Sequence, residues 1–208
     1  FLDVLAYNTH YLGFNANMLA NEMFLDSSQL RSSVVSHAKT LGYTTRSATA
    51  SNAVVDIFLN TTNASATMPA GTVFSASVGD ESYQFVTISE VTSSNSGSSI
   101  TFNDIRIYEG SYVSSRYVVD TQNVEQRCLI NDDRADTTTL SVKVQNSATD
   151  TTQTTFTQST DISGLTSTSN VYFLQEVEDG QYEIYFGDGI LGSAIEDGNI
   201  IIMQYVVT

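Results

Sequence analysis

The sequence predicts a mainly β fold with an N-terminal helical pair, the β portion making two small sandwich- or barrel-like domains. Three observations carry this expectation. Apolar residues recur at helical spacing only in the first 42 positions. After Ser51 the period changes to alternation, and the alternating runs are short and bounded by turns rich in glycine and aspartate. Short strands with regular turn signals and almost no helical pattern read as sandwiches or barrels. The expected division is residues 1–50 for the helical pair, 51–110 for the first β domain and 111–208 for the second.

In the first helix Leu5, Leu12, Met18, Leu19 and Met23 recur at spacings compatible with a 3.6-residue period. The second has a complete set of start signals. Asp26 is placed as N-cap, Gln29 three residues on can reach back to it, and Leu25 and Leu30 can close a hydrophobic staple. Leu30, Val34, Ala38 and Leu41 then mark one face. Gly42 is placed to end the helix in the left-handed conformation, with Lys39 in the last turn favouring the dipole.

Beyond the helices, Val55, Ile57 and Leu59 share a strand face, and Met68-Pro69-Ala70-Gly71 forms a turn. Strands from Thr72 to Val78 and from Ser82 to Val91 flank a hairpin at Gly79-Asp80-Glu81, with Tyr83 and Phe85 on one face. Thr92 to Ser99 reads as a loop. Ile100, Phe102, Ile105 and Ile107 then alternate with one register break, and Glu109-Gly110 makes a seam between the β domains. The second β region has strands at Tyr112 to Val119, around Leu140, Val142 and Val144, and at Val171 to Val177, Tyr182 to Phe186 and Ile200 to Val207. Between them the Thr/Ser/Gln stretch Asn146 to Ser169 has Phe156, Ile162 and Leu165 as its only anchors. Glu178-Asp179-Gly180 and Gly187-Asp188-Gly189 are turns, their glycines allowing positive φ.

Composition narrows the function. A net charge of -15 argues against nucleic-acid binding, which needs a basic footprint. Residues 1–50 are neutral, with Asp3, Glu22 and Asp26 against Arg31, Lys39 and Arg46, so the excess of acid falls on the β portion. No apolar run approaches the ~18 residues of a membrane span, so no membrane partner is expected. Cys128 is the only cysteine, which fits folding in a reducing cytoplasm. The chain opens at Phe1 already in a helical pattern and stops after a strand, as if both ends were cut from a longer polypeptide.

A search for chemistry finds no catalytic set, metal site or cofactor motif. His10 and His37 have no second ligand at metal spacing, and His37 lies beside the apolar face of its helix. Asp132, Asp133 and Asp136 lack the glycine and distal glutamate of a calcium loop and read as a solvated turn. Glu176, Glu178 and Asp179 read as ordinary exposed charges at a strand end rather than a hydrolytic carboxylate pair. Phe186-Gly187-Asp188-Gly189 could form a backbone anion nest, but a tight β-turn explains the same residues.

The runs Leu5-Ala6-Tyr7-Asn8-Thr9-His10, Ala20-Asn21-Glu22-Met23-Phe24-Leu25-Asp26 and Arg31-Ser32-Ser33-Val34-Val35-Ser36-His37-Ala38-Lys39 closely resemble the baseplate wedge subunits of T4-like phages, which are related to the baseplate J-like family. Met68-Pro69-Ala70-Gly71-Thr72, Tyr185 to Gly192 with its FGDG turn, and Gly198-Asn199-Ile200-Ile201 are similar to that family's recurrent turns. The resemblance implies a structural part of the virion, made in the host cytoplasm and not an enzyme. It also implies a dimer that assembles with other wedge proteins, its N-terminal helices joining a helical bundle. Such a family member would continue beyond this chain at both ends.

Independently of the resemblance, the helical pair is too short to bury its own apolar face. Leu12, Met18, Met23, Val34, Ala38 and Leu41 are the expected partner-facing residues, the alternative being that they pack on the first β domain. The second class of function left open is a surface adhesin or glycan-binding β module, favoured by the acidic Thr/Ser-rich strands. A capped amphipathic helical pair has no place in such a module and decides for the scaffold.

Overall fold

The computed structural model describes residues 1–95, 97, 99–123, 125–177 and 180–208. Two helices lead, α1 (Leu2–Glu22) and α2 (Arg31–Thr40). Next come β1 (Asn52–Asn60), β2 (Ser65–Met68), β3 (Val73–Val78), β4 (Glu81–Thr87), β5 (Val91–Ser94) and β6 (Ser99–Glu109). The chain continues through β7 (Ser111–Val118), β8 (Cys128–Ile130), β9 (Ala135–Gln145), β10 (Gln153–Gln158), β11 (Val171–Glu176), β12 (Tyr182–Phe186) and β13 (Ile200–Val207). The fold is therefore mainly β behind two helices, as the change of period at Ser51 requires.

The first six strands form a four-stranded sheet in the order β1-β6-β4-β3, a half-barrel backed by the β2-β5 ribbon. Its core is Met68, Ile100, Phe102, Ile105 and Ile107, with Val55, Ile57, Phe74 and Phe85 packed against them. The register break expected in β6 is a bulge. Val55 pairs with Ile105 but Ile57 pairs with Phe102, so Asn103 and Asp104 together oppose Asp56. Asp104 takes φ +56°, and its N–H donates to the Asp56 carboxylate at 2.9 Å. The extra residue keeps Phe102 and Ile105 on the same inner face.

The β3-β4 hairpin closes on Gly79 and Asp80, with Val78 opposite Glu81. The strand expected to run from Ser82 to Val91 ends instead at Thr87. Part of the loop expected at Thr92 to Ser99 is β5, which pairs with β2.

The remaining strands form a seven-stranded, nearly closed barrel in the order β7-β13-β9-β10-β11-β12-β8. Val142, Ile201, Met203, Tyr182, Ile130 and Ile184 fill it, and Phe156 meets Phe186 edge to face at 5.4 Å. β10 lies within the Thr/Ser/Gln stretch and pairs parallel to β11. Of that stretch's expected anchors Phe156 is buried and Leu165 half-buried, but Ile162 is exposed. Ala50, Val86 and Val206 form a small cluster shared by the two sheets. β6 passes to β7 through Gly110 at φ +129°, where a Cβ would sit on the Val207 carbonyl oxygen.

α2 begins later than its start signals predict. Its N-cap is Leu30, and no bond from Asp26 closes a capping box. The reason is that Glu22, at the end of α1, takes the Gln29 and Leu30 N–H groups instead. The C-terminus ends as expected in a Schellman motif. Tyr43 N–H donates to Ala38 O, Gly42 N–H to Lys39 O, and Gly42 has φ +74°.

Candidate functional site

Nothing in the described chain covers α1. None of its residues is buried, although it carries Leu2, Val4, Leu5, Tyr7, Tyr11, Leu12, Phe14, Met18 and Leu19. At 3.6 residues per turn these fall into two stripes on roughly opposite sides of the helix. One runs through Leu2, Leu5, Leu12 and Leu19, and the other through Val4, Tyr7, Tyr11, Phe14 and Met18. The second follows the alternating three- and four-residue steps of a helix seam, and the first steps by three and then twice by seven along the same side. Asn8 and Asn15 separate the stripes on one side, and Asp3, His10 and Asn17 on the other.

Tyr7 and Tyr11 stack at 6.3 Å, which organises the second stripe but leaves both rings in water. Covering a large apolar side chain contributes about 1.5–3 kcal/mol. α1 thus leaves two apolar stripes in water.

The expected partner-facing residues divide. Leu12 and Met23 are 63% and 66% exposed on or just after α1, and Met18 lies on the same helix. Leu41, at the end of α2, is 74% exposed. Val34 is half-buried. Ala38 is 8% exposed and, with Val35, turns inward, because α2 lies against the β8, β11 and β12 side of the barrel.

One glutamate of the barrel, Glu176, holds that contact, and a second, Glu183, is paired beside it within the β portion. Glu176, only 2% exposed, receives Arg31 Nε at 2.7 Å and a second guanidinium nitrogen at 2.9 Å, a bidentate pair. Thr45 Oγ1 also donates to it, and the Tyr182 hydroxyl donates to the Thr45 carbonyl at 3.2 Å. Glu176 is thus a buried anchor, not the exposed strand-end charge its position suggests. Its sequence neighbours Glu178 and Asp179 lie outside the described residues. Glu183 receives Arg127 Nε at 2.8 Å and the Tyr185 hydroxyl at 2.6 Å. The Arg127 hydrogen bond holds its carboxyl below the usual range. The guanidinium of Arg31 is in turn pushed above its ordinary value by Glu176.

At this same N-terminal end of α2, Glu22 Oε1 accepts the Gln29 N–H at 2.9 Å and Glu22 Oε2 accepts the Leu30 N–H at 3.3 Å. His37 Nε2 lies 3.0 Å from the Glu22 carbonyl oxygen. The backbone N–H of Gln29 and then the Ser33 hydroxyl hold the Glu22 carboxyl below its usual range. His10 is exposed on α1.

The other polar motifs are engaged within the chain. Asp136 is fully buried and accepts the Ala50 N–H at 2.8 Å as well as the Thr138 N–H and hydroxyl, fastening the linker before β1 to β9. Asp132 accepts the Arg134 N–H. In the FGDG loop Asp188 accepts the Ile190 and Leu191 N–H groups, both at 2.9 Å, while a side chain at Gly187 would run into the Gly192 backbone, and Gly192 itself has φ +90°. The loop's own carboxylate thus uses these two N–H groups.

Sequence reasoning missed Glu22, Arg31, Arg127, Glu176 and Glu183 as organising residues. Arg31 and Glu176 are 145 positions apart, so no local spacing links them. Glu22 lies seven residues before Gln29, outside the three-residue step of a capping box.

The comparisons agree with this architecture. Residues 116–207 match the family model of the bacteriophage baseplate wedge protein gp6, third domain, which covers β13 and nearly all the other barrel strands. The chain is 30% identical over 203 residues to the baseplate wedge protein gp6 of Enterobacteria phage T4. That alignment covers 94% of this chain and 29% of the relative, so the chain spans less than a third of the T4 protein's length. The alignment runs along nearly the whole chain, which is thus similar to a T4-like phage baseplate wedge subunit, with residues 116–207 matching the model of the gp6 third domain.

Proposed function

We propose that this chain acts as a structural subunit of a contractile-tail baseplate wedge in the virion, where α1 packs into a helical bundle with neighbouring wedge subunits. The observation that carries the reading is the contrast between α1 and the rest. The barrel buries its core, and the internal polar groups just described have partners, whereas α1 leaves two apolar seams in water. Two seams on opposite sides call for at least two neighbouring helices. A second copy of the chain supplies one and another wedge protein the other. Leu12, Met18 and Met23 are the proposed contact residues on and just after α1, with Val34 and Leu41 at the bundle's margin; Ala38 supports α2 from beneath.

The expected dimer belongs to this proposal, as does a role with no catalytic step, metal or cofactor. An adhesin or glycan-binding module is disfavoured, since a bared two-seam helix serves no purpose in binding a sugar. The test places a photo-crosslinking amino acid at Leu12 or Tyr11 in the chain co-assembled with its wedge neighbours. Crosslinks from both positions to helices of other subunits are expected. Absence of any crosslink from either position in assembled wedges would overturn the reading.

A further inference from the structure

We propose that Glu22 and His37 form a clasp that fixes the direction in which α1 leaves the body of the protein, so that the helix is presented already aimed. No contact along α1 can do this, because none of its residues is buried. Its direction is set where it meets α2, and there one residue is held from two sides. The Glu22 carboxylate accepts the N–H of Leu30, the N-cap of α2, and that of Gln29 just before it; the N-cap N–H is the donor that an N3 glutamate takes in a capping box, and here a residue of the preceding helix takes it.

The Glu22 carbonyl, one of the acceptors left over at the end of α1, meets Nε2 of His37 from two turns along α2 at 3.0 Å. A carbonyl only accepts, so Nε2 carries the hydrogen, and both the neutral tautomer and the imidazolium can supply it. Bonds on either side of the same Cα restrain tilt and rotation together.

Two further bonds stiffen the turn between the helices. Ser27 Oγ donates to the Asn21 carbonyl at 2.7 Å, and the Ser28 N–H donates to the Phe24 carbonyl at 2.9 Å. α2 itself is fastened to the barrel through Arg31 and Glu176. A continuous series of bonds thus runs from the barrel to the base of α1. A helix held at a fixed angle loses less freedom on meeting its partners than one that swings. That consequence for assembly rests on the bundle reading; the clasp does not.

The experiment measures distances between spin labels at Asn17→Cys on α1 and Thr157→Cys on β10 in a Cys128→Ser background. Labelled chain is diluted into unlabelled chain so that only distances within one molecule are read. The parent gives one narrow distribution. Glu22→Ala and His37→Ala each broaden it at least two-fold, and Glu22→Gln, which keeps an acceptor oxygen, broadens it less. His37→Ala leaves α1's own sequence intact, so it decides the matter if Glu22→Ala also lowers helix content. A parent distribution that is already broad, or an unchanged width in both alanine variants, would overturn the clasp. Leu12→Asp separates the two proposals, since it should abolish partner crosslinks while leaving the distribution narrow.

Discussion

A buried carboxylate is stable only while its partners stay, and that makes single residues decisive here. Glu176 rests on Arg31 and Thr45. Arg31→Met leaves it under α2 with one hydroxyl donor and should cost about 2 kcal/mol, read as a lower urea midpoint. Glu176→Gln should cost less, because an amide tolerates burial without a cation. Glu183 adds a pH dependence. Its folded carboxyl titrates below its unfolded value, so the stability it contributes is present above the ordinary glutamate range and disappears as pH falls through the lowered folded value. Arg127→Met should therefore flatten the acid limb of a stability-versus-pH curve, and an unchanged limb would remove Glu183 from the account. Glu176 was read from sequence as a solvated charge because its partner lies across the whole fold, and local spacing carries no trace of such a pair. Gly42 was legible, since a helix that must end in the left-handed conformation demands a residue without a side chain.

At the scale of elements, period and turn chemistry were enough for most strands, and the exceptions share a cause. The inward faces of β1 and β6 and the runs of β11, β12 and β13 follow from alternating apolar residues. β10 lies in a polar stretch with a single buried aromatic, Phe156, and β5 is four residues of Val, Thr and Ser, so neither has a periodic signal of its own. Both exist because a neighbour offers an edge to pair with. The start of α2 was misplaced for a related reason, its donors being claimed by a residue of the preceding helix. The apolar content of α1 was legible, and its exposure is what the proposed assembly role rests on. Leu12→Asp or Leu19→Asp should leave the far-ultraviolet signature of the β portion intact while abolishing association, because neither residue touches a core. Ile201→Ala, in the middle of the barrel, should instead cost about 2–5 kcal/mol without changing what the helix binds.

For the molecule as a whole, the distribution of charge and apolar surface separates body from interface. The helical end is neutral and the β portion carries the entire charge of -15, so in the proposed assembly copies would repel through their bodies while α1 joins them. Raising ionic strength shortens the screening length from about 10 Å at 0.1 M to about 3 Å at 1 M. Association through α1 should therefore strengthen with salt, whereas an interface built on ion pairs would weaken. The central claim is that α1 is the assembly element, and solution mass tests it most directly. Light scattering on the intact chain and on a chain lacking residues 1–21, which keeps Glu22 at the start of α2, compares the two states. The account predicts a dimer or larger species for the intact chain and a folded monomer for the shortened one. An intact chain that stays monomeric with α1 fully helical by circular dichroism would contradict it, since the bared seams would then need no partner.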